Sequence, residues 1–166
     1  MDPELQTKED EKFMRLALHQ AQMAFDAKEV PIGCVIVKDG RVIGKGYNQV
    51  ETLKDATAHA EVLAIGAASS AVENWRLTDC TLYVTLEPCP MCAGAILNSR
   101  VSRVVYATTD CRFGGCGTTV DVLSNNALQR EVALTTNVLA DECLGLLQLF
   151  FQEMRARKGD SGAKSI

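Results

Sequence analysis

Between Thr81 and Ala107 the chain reads as strand, helix, strand, and this unit constrains the fold more than any other stretch. Thr81 to Leu86 is a β-rich run that ends at Glu87-Pro88. Pro90 suits the first helical position, where its missing N–H would be unpaired anyway and its φ is already helical. A helix over Pro90 to Asn98 and a strand over Val101 to Ala107 follow. Two strands joined through a helix lie parallel and cross over right-handed. Earlier in the chain, Pro31 to Val37 and Val42 to Gly46 flank Lys38-Asp39-Gly40-Arg41. Asp-Gly between apolar runs predicts an antiparallel hairpin, so the sheet is mixed.

Helical spacing covers three further segments. The first runs from about Lys8 to Ala27, with Phe13, Leu16, Ala17, Gln20, Ala24 and Phe25 on one stripe. The second is Ala58 to Ala71, and the last runs from about Leu139 to Arg157, with Leu139, Cys143, Leu146, Leu147 and Phe150 aligned. Tyr47 to Thr57 is polar and irregular, Gly114-Gly115-Cys116-Gly117 is a loop, and residues 118–137 leave room for a short helix and a fifth strand. The predicted architecture is a three-layer α/β/α sandwich around a mixed five-stranded sheet. With 166 residues and 47% hydrophobic content, the chain supports one core, so a single domain over 1–158 and a flexible tail over 159–166 are expected. No apolar run approaches the roughly 20 residues of a membrane span, and Met1 to Lys12 is charged, so no membrane role and a cytoplasmic location are expected.

In such sheets, sites form at the carboxyl ends of strands, where helix N-termini converge. Two motifs fall there: His59-Ala60-Glu61 and Pro88-Cys89-Pro90-Met91-Cys92. Cys89 is the expected N-cap and Cys92 the third helical residue, close enough to share one metal. A helix N-terminus favours the thiolate form that zinc requires. One His and two Cys make three ligands and leave a fourth position open, which is the arrangement of a catalytic rather than a structural zinc. The expectation is one Zn²⁺ per chain, held by His59, Cys89 and Cys92. Glu61 lies two residues from His59, and such pairs do not share a helix face, so it is assigned the proton work beside the metal. Alone, Glu61 would read as an ordinary helix-start carboxylate. Two other readings of the cysteines are a redox Cys-x-x-Cys and a structural zinc completed by Cys111 or Cys116. Cys34, Cys80 and Cys143 read as core residues, and His19 as a surface or half-buried helix residue.

The His-x-Glu and Pro-Cys-x-x-Cys pattern is a recognised signature of zinc nucleobase deaminases. The runs Val30-Pro31-Ile32-Gly33, Gly46-Tyr47-Asn48, His59 to Ile65 and Thr85 to Ile96 resemble tRNA-specific adenosine deaminases. So does Leu139 to Cys143 with Phe150-Phe151, and the resemblance spans roughly Glu11 to Lys158. It implies a cytidine-deaminase-like fold, a homodimer, and hydrolytic conversion of adenosine to inosine at the first anticodon position of a tRNA anticodon stem-loop. It further implies that Glu61 shuttles protons while water attacks C6 of the adenine. Asn48 and the backbone at Val30 and Ala60 would surround the flipped base and ribose, and Asp110 would lie near the anticodon backbone. Phe151 or Phe150 would stack on a neighbouring nucleotide, although aromatics on an amphipathic helix are more often core. The loop Asp110 to Gly117 looks more like that of the catalytic subunit of the eukaryotic heterodimeric enzyme. The zinc motif by itself would also fit a deaminase of free guanine, cytosine or a nucleotide.

Charge sets a condition on an RNA substrate. The 17 Lys and Arg against 21 Asp and Glu give a formal net of -4, whereas phosphate contacts normally dominate such binding. Acids gather at Asp2, Glu4, Glu9, Asp10 and Glu11. Bases gather at Arg155, Arg157, Lys158 and Lys164, with Arg100, Arg103 and Arg112 near the site strand, so any RNA surface is local. Metal analysis of the purified protein should give one zinc per chain, and Cys89→Ala should lose it. Stoichiometric zinc retained in that variant would contradict the ligand set.

Overall fold

The computed structural model describes residues 2–162. Its sheet has the order β2-β1-β3-β4-β5, from Arg41–Tyr47, Gly33–Lys38, Thr81–Leu86, Arg103–Thr108 and Ala133–Thr135. The Asp39-Gly40 turn, with φ of 49° and 72°, closes the antiparallel β1–β2 hairpin as Asp-Gly turns do. β1 also pairs antiparallel with β3, while β3–β4 and β4–β5 are parallel. The helices are α1 (Pro3–Asp26), the four-residue α2 (Val50–Leu53), α3 (Ala60–Ala71), α4 (Pro90–Asn98) and α5 (Ala140–Gly162).

Strand alternation divides the core into two faces. Val35, Val37, Tyr83 and Val105 pack under α1 and α5 with Phe13, Met14, Ala17 and Cys143. Cys34, Ile36, Leu82, Val84 and Val104 pack on the other side against Ala60, Ala64 and Ala68 of α3 and Ala93, Ile96 and Leu97 of α4. The three layers and five strands agree with the expectation, and Cys34, Cys80 and Cys143 are buried as core residues while His19 is exposed. α3 approaches the hairpin so closely that a Cβ on Gly46 would collide with the Ala60 carbonyl, and one on Gly44 with the Ala64 carbonyl. Two glycines opposite an alanine face therefore set the depth of the helix that carries Glu61.

Several boundaries differ from the sequence reading. α1 begins at Pro3, because Asp2 caps it by accepting from Glu4 N at 3.0 Å and Pro3 stands in the first turn. Leu16 is exposed, and the buried stripe runs instead through Asp10, Phe13, Met14, Ala17, Gln20, Ala21 and Ala24. The polar stretch 47–57 contains α2, whose start is held by Glu29: its carboxylate accepts from Glu51 N, Thr52 N and Thr52 Oγ1. Residues 118–137 yield β5 but no helix. α5 continues to Gly162, so residues 159–162, expected as tail, are helical, and 163–166 lie outside the described residues. No helix among the described residues is long and apolar enough to cross a membrane.

Arg103 also departs from its expected place in a basic surface. Its guanidinium grips buried Asp10 through two bonds of 2.8 and 2.7 Å and donates to Thr135 Oγ1 at 2.8 Å, while Tyr83 donates to Asp10 at 3.0 Å. One ion pair thus ties α1 to β3, β4 and β5. Burial works to raise the Asp10 carboxyl, but the hydrogen bonds from Arg103 and Tyr83 outweigh it and hold the group below its ordinary 3.8. With the folded value depressed, this stability is present above the unfolded value and is lost as pH falls through the folded one. Acid unfolding followed by circular dichroism should show a wild-type loss below about pH 4 that Asp10→Asn lacks. At neutral pH, Asp10→Ala should cost on the order of 2–3 kcal/mol in urea, because it leaves a half-buried guanidinium without its partner.

Candidate active site

Two helices begin at the same edge of the sheet. β3 ends at Leu86, Cys89 is the N-cap of α4 with φ -69° and ψ 169°, and Pro90 opens the helix. His59 is the N-cap of α3 with φ -75° and ψ 152°, one position outside the first turn expected for it. Neither cap residue uses its side chain on its own helix. Both side chains are therefore available to a shared ligand, together with Cys92, the third residue of α4.

His59 Nδ1 lies 3.6 Å from Cys89 Sγ and 3.5 Å from Cys92 Sγ, and all three donor atoms fall within 4.8 Å of one another. Zinc bonds of about 2.0–2.1 Å to nitrogen and 2.3 Å to sulfur place N and S about 3.6 Å apart in a tetrahedron. The donors thus fit zinc in both chemistry and spacing. Neither Cys111 nor Cys116 joins the group, so a closed four-ligand site is not formed by the loop cysteines.

The electrostatics favour a ligand set with thiolate character. The Cys92 thiol hydrogen-bonded to Cys89, opposed by burial and helped by His59, holds Cys89 down to about 4. Cys92 is pushed up in turn by sitting beside the Cys89 sulfur and by burial. The bond with Cys89 raises His59 against the effect of its burial. Glu61, in the first turn of α3, is 3% exposed and stands beside the donors without joining them. Burial pushes its carboxyl up to about 7; its own backbone N–H opposes the rise and the Cys89 sulfur adds to it. A carboxyl poised near neutrality can both take and give a proton.

Asn48 is buried, donates to the Val30 carbonyl at 3.2 Å and accepts from Val50 N at 3.2 Å, so Val30 and Asn48 are joined directly. Ala60 is fully buried at the start of α3, under Gly46. Asp110 is half-buried, and its carboxylate caps a turn by accepting from Arg112 N at 2.9 Å and Phe113 N at 3.2 Å. The Phe150-Phe151 pair is divided: Phe150 is buried edge-on against Phe25, while Phe151 is 43% exposed. Phe151 touches Phe150 on α5 and is not brought to the donor cluster. Glu87, which no motif or spacing in the sequence marks, is buried two residues before Cys89 with four hydrogen bonds from one loop. An acid between a strand end and Pro88 was the available sign.

The comparisons with known proteins agree with this geometry. Residues 7–108 match the model of the cytidine and deoxycytidylate deaminase zinc-binding region. A tRNA-specific adenosine deaminase of Streptococcus pyogenes serotype M18 is 43% identical over 149 residues, covering 90% of this chain and 94% of its own. Its counterpart in Bacillus subtilis is 43% identical over 150 residues, covering 90% and 93%. Among solved structures, one from studies of A-to-I editing by tRNA:A34 deaminases superposes with a TM-score of 0.79 at 39% identity, covering 81% of this chain and 98% of its own. A guanine deaminase from Nitrosomonas europaea shares the fold with a TM-score of 0.75 at 25% identity, covering 84% and 83%. The chain belongs to the zinc-dependent cytidine and deoxycytidylate deaminase family, and within it to the tRNA-specific adenosine deaminases.

Proposed function

We propose that the protein converts adenosine to inosine by hydrolysis at the wobble position of a tRNA anticodon stem-loop. The observation that carries the chemistry is a buried carboxyl near neutral pKa beside three zinc donors that leave a ligand position open. The relatives that match nearly the whole chain support RNA rather than a free base as substrate.

His59, Cys89 and Cys92 would hold the metal, whose contribution when bound is to activate water for attack on a carbon carrying an amino group. Glu61 takes a proton from the water as its oxygen bonds to C6 and passes that proton to the adjacent ring nitrogen; it then takes the remaining proton from the new C6 hydroxyl and gives it to the amino group, so the C6–N bond breaks, the hydroxyl becomes a carbonyl, and inosine and ammonia leave. Burial keeps the carboxyl out of bulk solvent and in reach of both protonation states. Asn48 spends one N–H on Val30 and one lone pair on Val50, and an amide retains one more of each for the ribose or base. The Val30 and Ala60 backbone and Asp110 line the approach, and exposed Phe151 is the stacking candidate. A base must leave its stack to reach such a recessed site. Residues 1–158 act as one deaminase domain, as a homodimer in the cytoplasm.

Incubation with tRNA bearing adenosine at the wobble position should yield inosine, read by nucleoside mass spectrometry. Glu61→Ala should reduce turnover by at least about 10²- to 10⁴-fold with zinc retained. No inosine from folded, zinc-loaded protein would contradict the substrate, and turnover of free guanine or cytosine instead would favour a small-molecule deaminase. Activity surviving in Glu61→Ala would contradict the proton role.

A further inference from the structure

Glu87 is a buried carboxylate that the reaction above does not use. It follows β3 and is 2% exposed. One carboxylate oxygen, Oε1, accepts from Cys116 N at 3.1 Å and Thr118 N at 3.2 Å. The other, Oε2, accepts from Asp110 N at 3.0 Å and Thr118 Oγ1 at 2.5 Å. All four donors come from residues 110–118, and none is a cation. Burying a carboxylate is unfavourable unless hydrogen bonds replace its water, and the loop supplies them. Glu87 in turn supplies the acceptor for the amides of Asp110, Cys116 and Thr118, while Gly114 and Gly115 donate to backbone carbonyls.

Two glycines bring this loop against the metal-binding cusp. A Cβ on Gly114 would stand 2.5 Å from Glu87 Oε2, and one on Gly115 would stand 2.6 Å from Pro90 N and 2.7 Å from Cys89 C. Gly115 N donates to the Pro88 carbonyl at 2.8 Å. The outer limb of the same loop turns to solvent. It carries Asp110 as turn cap and Phe113, 60% exposed, with the Arg112 guanidinium 5.5 Å from its ring centre. An exposed aromatic with an adjacent guanidinium suits an unstacked nucleotide and its phosphate.

We propose that Glu87 is a positioning residue for substrate binding: its carboxylate gathers the 110–118 loop so that the inner limb backs the Cys89 cusp and the outer limb meets RNA. The proposal rests on the function proposed above. Glu87 is not among the metal donors, and its carboxylate is occupied by the loop. Loosening the loop lowers the fraction of molecules competent to bind, which raises KM and spares kcat. Glu87→Gln keeps the shape but sets an NH₂ against N–H donors.

The test is steady-state kinetics on wobble-adenosine tRNA, with zinc content and amide hydrogen exchange on the same samples. In Glu87→Gln, KM should rise about tenfold or more and kcat should stay within about threefold. Zinc should remain at one per chain, and exchange at Asp110, Cys116 and Thr118 should accelerate. Thr118→Val, which removes one donor, should show a smaller rise in KM, and Thr118→Ser should restore it. If Glu87→Gln does not fold, the Thr118 pair decides. An unchanged KM with opened loop amides, a fall in kcat alone, or loss of zinc would each overturn the proposal. Wild-type protein inactive on tRNA would overturn the proposed function, and this inference with it; activity in wild type with no change in KM in the variants would overturn this inference alone.

Discussion

Parallel pairing of β3 with β4 obliges the chain to leave the sheet after Leu86 and return at Arg103, so a helix must start at the carboxyl end of β3. Pro90 makes that start abrupt and leaves Cys89 as an N-cap whose side chain is not spent on the helix. α3 arrives at the same edge because Gly44 and Gly46 admit its alanine face against the hairpin. His59 then ends the loop where Cys89 begins the helix. The metal donors are thus a consequence of two helix starts meeting at one sheet edge, not of a local loop built to hold a metal. Each donor comes from backbone that the core fixes, which explains how a site with only three protein ligands keeps its geometry.

The two buried carboxyls of the site show how surroundings divide labour between like groups. Glu61 sits in a nearly dry position next to a sulfur that carries negative charge, and it rises to about 7. Glu87 is equally buried but accepts four hydrogen bonds from one loop. The first is suited to exchanging a proton, and the second to holding a shape. Both the neighbours and the count of donors facing each carboxylate separate them: Glu61 stands beside Cys89, Cys92 and His59, and Glu87 faces four loop donors.

The same contrast explains which parts could be read from the residues. His59, Cys89, Cys92 and Glu61 were readable because spacing on a helix and ligand chemistry are local properties. The hairpin and the βαβ unit were readable because Asp39-Gly40 and Pro90 are strong local signals. Glu87 was not, since its partners lie 23 to 31 residues further on, in a loop without periodicity. Arg103 looked like a surface base because its partner, Asp10, is 93 residues away. Leu16 fits the apolar spacing of α1, yet the buried face is set by Asp10 and Met14, and a buried Asp runs against any hydrophobic pattern until its cation is known. α1 starts ahead of its apolar periodicity because Asp2-Pro3-Glu4 is a local capping signal set in an acidic segment without a hydrophobic stripe. Phe150 and Phe151 are indistinguishable by composition, and only the packing of Phe25 against one of them assigns core and surface.

The central claim is that the metal site is open, with one nitrogen and two sulfur ligands from the protein. Zinc X-ray absorption on the purified protein measures this directly. An open site gives two sulfur scatterers at about 2.3 Å and two lighter ones at about 2.0–2.1 Å, from His59 and solvent. A shell with three or four sulfurs would mean that Cys116 or Cys111 closes the site, and would contradict it.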